Sequence, residues 1–527
     1  MDLTFSKSSY RPSEAITGHI SEPGKIEVFS LSELVSSKEV EGDFALNLPA
    51  GAYGIRFLSD NDSEIYSAIE VIENPWQRLR YGFVSEFDES VDVDAYVSWA
   101  KKIHLTSIQF YDWAWKHELL MSPDESYGDP LGRTVSLNKV KELIKGYEKA
   151  GIAPSGYVAV YAVDGDGWNR WKSSGTYTSD GKPFQLGENF LWILDPADEH
   201  WLPHLIEQLK HAHSFGFNTF HLDQYGWPKI AKKLDGSIID LAVQFPIMLQ
   251  SIVAEIPSAK FIFNNVNDFP TWSTSKTLQH AIYIEVWDPN STYSDLARLV
   301  DRSRIHSPEK PVILSAYLKP FSEINDEIER ARADASLELT FASISSGGAS
   351  HLITGGNAQI LHDPYYVRNH HANESTKLIL AKLHNFLVAS GDILFDPSRV
   401  DITLTSAFGI NNEVQFTSTD PISETAIEGA LWMRVYKGES GLTIHVINLL
   451  DQNDAIWDSP KNPILRKSSI EFSIDASGYQ AKGILGTMCE SPIFTELEVA
   501  CVDGRITGAI PISGSWVTLN IPLAKNS

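Results

Sequence analysis

Three patterns of apolar and polar positions follow one another along the chain. From Met1 to about Asn74, short alternating runs are broken by turn residues. Lys25-Ile26-Glu27-Val28-Phe29-Ser30-Leu31 alternates, as does Phe44-Ala45-Leu46-Asn47-Leu48, and Pro49-Ala50-Gly51 turns the chain into Ala52-Tyr53-Gly54-Ile55-Arg56-Phe57. Regular short strands with turns between them predict a small, immunoglobulin-like β-sandwich. Glu73-Asn74-Pro75 reads as the hinge to the next unit.

From about Trp76 to Ser390 the pattern changes to strands alternating with helices. Ser136 to Ala150 places Leu137, Val140, Ile144 and Tyr147 on one helical face, and Gly151 stops it. Glu199 to Phe215 repeats the arrangement before Gly216, and Thr376 to Ala389 is a third clear helix. Between the helices lie eight strand candidates. They are Tyr81 to Phe87, Ser107 to Asp112, Gly156 to Tyr161, Thr219 to Asp223, Lys260 to Val266, Ile282 to Val286, Val312 to Tyr317 and Ser350 to Thr354. That count and size predict an α/β fold with a central (β/α)8 TIM barrel. A doubly wound open sheet is the competing fold, but its Gly-rich phosphate fingerprint is missing.

Beyond about Asp392 the pattern returns to β. Leu431 to Tyr436, a turn, and Leu442 to Ile447 read as a hairpin, and the remainder is strand-rich. The expected organisation is therefore an N-terminal β-sandwich over 1–74, a barrel over 75–391 and a C-terminal all-β sandwich over 392–527.

The alternation also sorts the barrel strands by face. Phe220 and Leu222 face out, while Thr219, His221 and Asp223 face the axis. Ile282, Ile284 and Val286 face out, with Tyr283 and Glu285 inward. Phe261 and Phe263 face out and Asn264 in. Gln109 and Tyr111 face in, with Asp112 at the strand exit, and Ser315 and Tyr317 lie inward or at the rim. The inward set turns polar towards each C-terminal strand end, which is where this fold carries its active sites.

Two strand ends carry carboxylates, Asp223 and Glu285. Two facing carboxylates are the minimum equipment for hydrolysing a glycosidic bond. Trp287 and Tyr283 would give Glu285 an apolar wall that helps it hold a proton, and polar neighbours suit an ionised Asp223. From pattern alone Glu86, Asp112, Asp164, Asp166, Asp195 and Asp363 compete for these roles, since each lies near a predicted strand end. Each of them equally suits a sugar contact, a helix cap or a solvated loop.

Composition narrows the partners. The 527 residues exceed one domain and suit two or three, and 43% hydrophobic with 21% charged residues is ordinary for a globular chain. A formal net charge of -25 repels phosphate backbones and anionic lipids, which argues against nucleic-acid and membrane partners. A neutral polysaccharide is indifferent to that charge. No apolar run approaches ~18 residues. No signal peptide is visible, so the sequence as written fits the cytoplasm, or a secreted protein in mature form. Cys489 and Cys501 are the only cysteines, which excludes a disulfide-rich scaffold and a Cys-based zinc site. There is no HExxH, and the His370-His371 pair lacks an acidic partner pattern, so no metal and no cofactor is expected. Trp113, Trp115, Trp168, Trp171, Trp227 and Trp287 lie in or beside predicted βα loops and offer faces for stacking on sugar rings, or packing for the core.

Several segments resemble glycoside hydrolase family 66, the dextranases and cycloisomaltooligosaccharide glucanotransferases. They are SSYRPSE near the N-terminus, YGFVSEF (Tyr81 to Phe87), IQFYDWAWKHE (Ile108 to Glu118), DPLGR (Asp129 to Arg133), HLDQYG (His221 to Gly226), FNNVN (Phe263 to Asn267), YIEVWD (Tyr283 to Asp288) and HVINL (His445 to Leu449). The resemblance implies a retaining, endo-acting enzyme on α-1,6-glucan, either dextran or isomaltooligosaccharides. It implies Asp223 as nucleophile, Glu285 as general acid/base, and Tyr111, Asp112 and Trp113 as a substrate-contacting segment. His117, Tyr157, Asp195, His221, Asn264, Trp287 and Tyr317 complete the expected substrate contacts. Val158 and the His351 to Gly356 stretch depart from the family pattern, which bears on linkage preference. The barrel has no stretch long enough for the inserted sugar-binding module of cyclising members, so hydrolysis is expected over cyclisation. Transglycosylation, which differs only in whether water or a sugar hydroxyl reaches the covalent intermediate, stays open. A non-catalytic glucan-binding protein is the third alternative, and the presence of both carboxylates argues against it.

Overall fold

The computed structural model describes residues 2–524. At its centre eight parallel strands curl into one closed sheet. They are β1 (Tyr81–Val84), β2 (Ser107–Phe110), β3 (Ala153–Ala159), β4 (Thr219–Asp223), β5 (Lys260–Asn264), β6 (Ala281–Glu285), β7 (Val312–Ser315) and β8. The eighth is interrupted. Ser350–His351 pairs with β7, and Thr354–Gly355 pairs with β1 through Gly355 and Phe83, which closes the sheet on itself. A Cβ at Gly355 would stand 1.9 Å from the Phe83 carbonyl oxygen, so only glycine lets the two strands meet there.

Seven long helices cover the outside: α1 (Val93–Lys102), α2 (Leu137–Lys149), α3 (Trp201–Phe215), α4 (Leu241–Glu255), α5 (Tyr293–His306), α6 (Glu327–Ser345) and α7 (Glu374–Ala389). Between β5 and β6 stand only two short helical turns, Val266–Asp268 and Thr271–Thr274. The helix starts are written in the sequence. Asp92, Ser136, Asp240, Asp326 and Asn373 each accept a first-turn backbone N–H, and Thr292 with Asp295 forms a full capping box. Outward strand residues such as Phe220, Leu222, Phe261, Phe263, Ile282 and Ile284 are completely buried beneath these helices.

The N-terminal strands, Leu3–Phe5, Ile16–Ser30, Glu33–Leu46, Gly51–Ser59 and Glu64–Val71, form one hydrogen-bonded antiparallel sheet. The two longest strands of this sheet change register between Ile20 and Gly24. Beyond that irregularity Ile16–Ser30 exchanges its partner Leu3–Phe5 for Gly51–Ser59, so one sheet encloses a core of its own. It meets the barrel through Ala68 packed on Val388 and Ala389 of α7 and through a buried ion pair, with Nη2 of Arg80 on Oε2 of Glu70 at 3.0 Å.

The C-terminal strands do form two sheets, of seven and four strands, around a shared apolar core. The predicted hairpin is Leu431–Gly438 with Gly441–Asn448. These sheets seat on the barrel through Phe494 and Trp516, whose rings meet Phe386 of α7 at 5.5 and 5.2 Å. Arg434 reaches Asp301 of α5 at 2.8 Å. Among the described residues no helix is long and apolar enough to cross a membrane.

Candidate functional site at the C-terminal mouth of the barrel

A cavity of about 280 Å³ opens where the strands end, and side chains from β2 to β7 and the loops beyond line it. Asp223 and Glu285 are the last residues of β4 and β6. Between them, at the end of β5, stands Asn264. Its Nδ2 donates to Oδ1 of Asp223 at 2.7 Å and to Oε2 of Glu285 at 3.1 Å. Because both oxygens bind one nitrogen at 2.7 and 3.1 Å, they stand no more than about 5.8 Å from one another. The Asn264 side chain is itself oriented, because its Oδ1 accepts the Glu285 backbone N–H at 3.3 Å.

Each carboxylate also receives a tyrosine. Tyr157 donates to Oδ2 of Asp223 and Tyr317 to Oε1 of Glu285, both at 2.7 Å. Burial raises both carboxyls above the ordinary range. On Asp223 it is opposed by the hydrogen bonds from Tyr157 and Asn264. On Glu285 the neighbouring charge of Asp223 adds to burial, with Tyr317 and Asn264 pulling the other way. Glu285 is therefore the group that keeps a proton to higher pH, and Asp223 the one that ionises first.

Asp112 follows β2 in a left-handed conformation (φ 49°) and lines the same cavity. Burial pushes its carboxyl to about 7 against the pull of Arg133, with the charges of Asp129 and Asp223 adding to the rise. Below the carboxylates the floor is aromatic. His221 lies between Tyr81 and Tyr157, hydrogen-bonded to the Tyr81 hydroxyl through Nδ1 at 3.2 Å. Burial lowers this imidazole to about 3, so it is a neutral packing group and not a base at neutral pH.

Of the expected contacts, Tyr111, Asp112, His117, Tyr157, His221, Asn264, Trp287 and Tyr317 all line the cavity with the two carboxylates. Trp113 and Asp195 do not. The left-handed turn at Asp112 ends the strand alternation, and Trp113 goes behind the barrel, fully buried against Phe215 and Phe217. Asp195 is taken up by structure, pairing with Lys233 at 3.0 Å and accepting the Ala197 N–H. Apart from Asp112, which lines the cavity, the other rival carboxylates are likewise occupied. Glu86 accepts from Tyr96, Asp164 caps the helix Gly165–Trp171, Asp166 lies near Lys116, and Asp363 caps a turn and pairs with Arg368.

Sequence reasoning missed one wall and one lid of the cavity. Leu186, Phe190 and Leu191 come from a long excursion after β3 that has no periodicity to betray it. Tyr366, beyond β8, stacks on Tyr111 at 4.3 Å and shares a hydrogen bond with Tyr283 at 3.0 Å. The adjacent aromatic pair Tyr365-Tyr366 was the available signal. Among the described residues no group of three or more His, Cys, Asp or Glu side chains is arranged to hold a metal ion.

Residues 51–483 match the model of glycosyl hydrolase family 66. The chain belongs to that family. Two cycloisomaltooligosaccharide glucanotransferases of Niallia circulans are 27% identical over 318 residues and 24% identical over 280 residues. The matches cover 54% and 48% of this chain but 32% and 29% of those proteins, so the chain spans about a third of the length of these relatives. A cycloisomaltooligosaccharide glucanotransferase of Paenibacillus sp., solved with cycloisomaltoheptaose, superposes with a TM-score of 0.87 at 17% identity, over 98% of this chain and 99% of that one. An α-amylase of Geobacillus thermoleovorans complexed with acarbose superposes with a TM-score of 0.52 at 11% identity, over 86% of this chain and 100% of that one. At these identities the solved structures speak for the fold.

Proposed function

We propose that this family 66 chain cleaves α-1,6-glucosidic bonds of dextran or isomaltooligosaccharides by double displacement with retention. Asp223 attacks the anomeric carbon, while Glu285 protonates the departing glycosidic oxygen. Glu285, now a carboxylate, then deprotonates the group that attacks the glycosyl–Asp223 ester, and the ester C–O bond breaks to restore Asp223. The observation that carries this reading is the single amide of Asn264 shared between the two carboxylates at 2.7 and 3.1 Å. Oxygens held within about 5.8 Å by one shared nitrogen suit direct attack, whereas an inverting pair needs roughly 6.5–9.5 Å to admit a water.

The deciding experiment combines product analysis with the anomeric configuration followed by proton NMR. It uses dextran and isomaltooligosaccharides of defined length. A ladder of short linear products released in the α configuration supports the reading. Initial release of the β anomer would sink it.

A second reading, glucanotransferase, has its own support. The curated relatives and the solved neighbour bear that name. The two readings share every step up to the glycosyl–Asp223 ester and differ in whether water or a sugar hydroxyl attacks it.

A further inference from the structure

The loop after β6 carries Trp287, two residues beyond Glu285, with 41% of the side chain exposed inside the cavity wall. Exposed indoles on flexible loops are common surface features. This one is held from three directions. Tyr317, the residue that donates to Glu285, meets its ring edge-on at 6.2 Å. From the loop after β5, Oδ1 of Asn267 accepts the Trp287 backbone N–H at 3.2 Å, and its Nδ2 donates to the Asp288 carbonyl at 2.8 Å. From the C-terminal β region, Trp457 donates its indole N–H to the Asn290 carbonyl at 2.7 Å and its backbone N–H to Ser291 at 3.1 Å. Ile456 pairs with Thr292 in the same place. A loop of the C-terminal β region, between the strands Gly441–Asn448 and Ser468–Asp475, thus fixes the loop beside the candidate acid/base.

The position has a chemical meaning. Glu285 gives its proton to the departing oxygen, so the departing sugar must sit against Glu285 and its neighbours. The group that attacks the ester in the second step enters by the same side. We propose that Trp287 is the acceptor-side sugar platform of this enzyme, and that this rigidly held indole sets the partition between transfer to a sugar and hydrolysis. An indole face stacks on the apolar face of a glucose ring, and water has no such face to offer. The platform therefore favours a sugar hydroxyl over water for the same ester. In either case the attacking O–H loses its proton to Glu285, the new C–O bond forms, and Asp223 leaves as a carboxylate.

This inference rests on the double-displacement reading above, and its test separates the two. Wild type, Trp287→Ala, Trp287→Phe and Trp457→Phe are each incubated with isomaltohexaose over a range of concentrations, and elongated and shortened products are quantified. The expected result is a transfer-to-hydrolysis ratio that falls threefold to tenfold in Trp287→Ala and is largely restored in Trp287→Phe. In Trp457→Phe, which touches no substrate, the ratio falls in the same direction by a smaller factor. A ratio unchanged in Trp287→Ala, whatever happens to the total rate, overturns the proposal. So does a wild-type enzyme that makes no transfer product at any concentration, although hydrolysis would then stand. No turnover of any α-1,6-glucan by the wild type would remove the functional reading itself, and the inference with it.

Discussion

The hydroxyl of Tyr317 lies 2.7 Å from Oε1 of Glu285 and donates its proton there. A hydrogen bond to the charged form lowers the pKa of a carboxyl that burial and Asp223 are raising. Tyr317→Phe removes that donor and keeps the ring. The sign follows directly: Glu285 holds its proton to higher pH, so the alkaline limb of the kcat/KM profile moves up by about one unit. The maximum of kcat/KM falls roughly tenfold, because the carboxylate that develops on Glu285 as it gives up its proton in the first step loses a charge-assisted bond. A pH–rate profile of the variant decides the matter, and an alkaline limb that stays put or moves down contradicts the assignment.

Asp223→Ala removes the attacking oxygen. Turnover of an α-1,6-glucan should fall at least about a thousandfold, while oligosaccharide binding measured by calorimetry survives. More than a few percent of residual activity would show that another group is the nucleophile. Asn264→Ala deletes the amide that spans the two carboxylates and should cost turnover on the order of a hundredfold with little change in melting temperature.

Asp112 provides a stability test. Its carboxyl is raised to about 7 by burial, from an ordinary value near 4, so the native state resists its ionisation. The penalty is fully present above pH 7 and fades as pH falls towards the unfolded value of about 4. Asp112→Asn, a neutral isostere that tolerates the left-handed backbone, should therefore melt higher than wild type at pH 8, by up to roughly 4 kcal/mol of stability. At pH 4 the difference should vanish. Equal melting temperatures at pH 8 would show that Asp112 is not held in this environment.

The Glu70–Arg80 pair ties the N-terminal sheet to the barrel, and both side chains are buried. Glu70→Ala leaves the guanidinium with the His104 and Arg78 carbonyls and no counter-charge. The expected loss is about 3–5 kcal/mol, read as a lower midpoint in chemical denaturation. A change under 1 kcal/mol would mean that water reaches the charge.

The barrel strands were legible because parallel strands buried under helices carry apolar residues at every outward position, as in Phe220, Leu222, Ile282 and Ile284. Asp223 and Glu285 were legible for a related reason, since each ends a strand on the inward face. Alternation stops being informative once the backbone leaves the extended region, and Trp113 shows this. One left-handed residue before it, Asp112, sends the indole behind the barrel. In the N-terminal segment, alternation marked Lys25 to Leu31, Phe44 to Leu48 and Ala52 to Phe57 but not Leu3–Phe5 or Glu64–Val71. Nor did it show that hydrogen bonds join all five strands into one sheet, because pairing partners such as Gly24 and Ser59 lie dozens of residues apart.

By itself, the sequence determined the order of the barrel strands, three of the helices that cover them, the inward set, and the two carboxylates at the ends of β4 and β6. These follow from local periodicity and from where polar residues interrupt it. Only the tertiary structure decided that one asparagine spans both carboxylates, that Tyr366 packs on Tyr111, and that Trp457 steadies the loop of Trp287. Those relationships join residues far apart in the chain, and they arise from closure of the sheet and docking of the C-terminal strands, which no local pattern encodes.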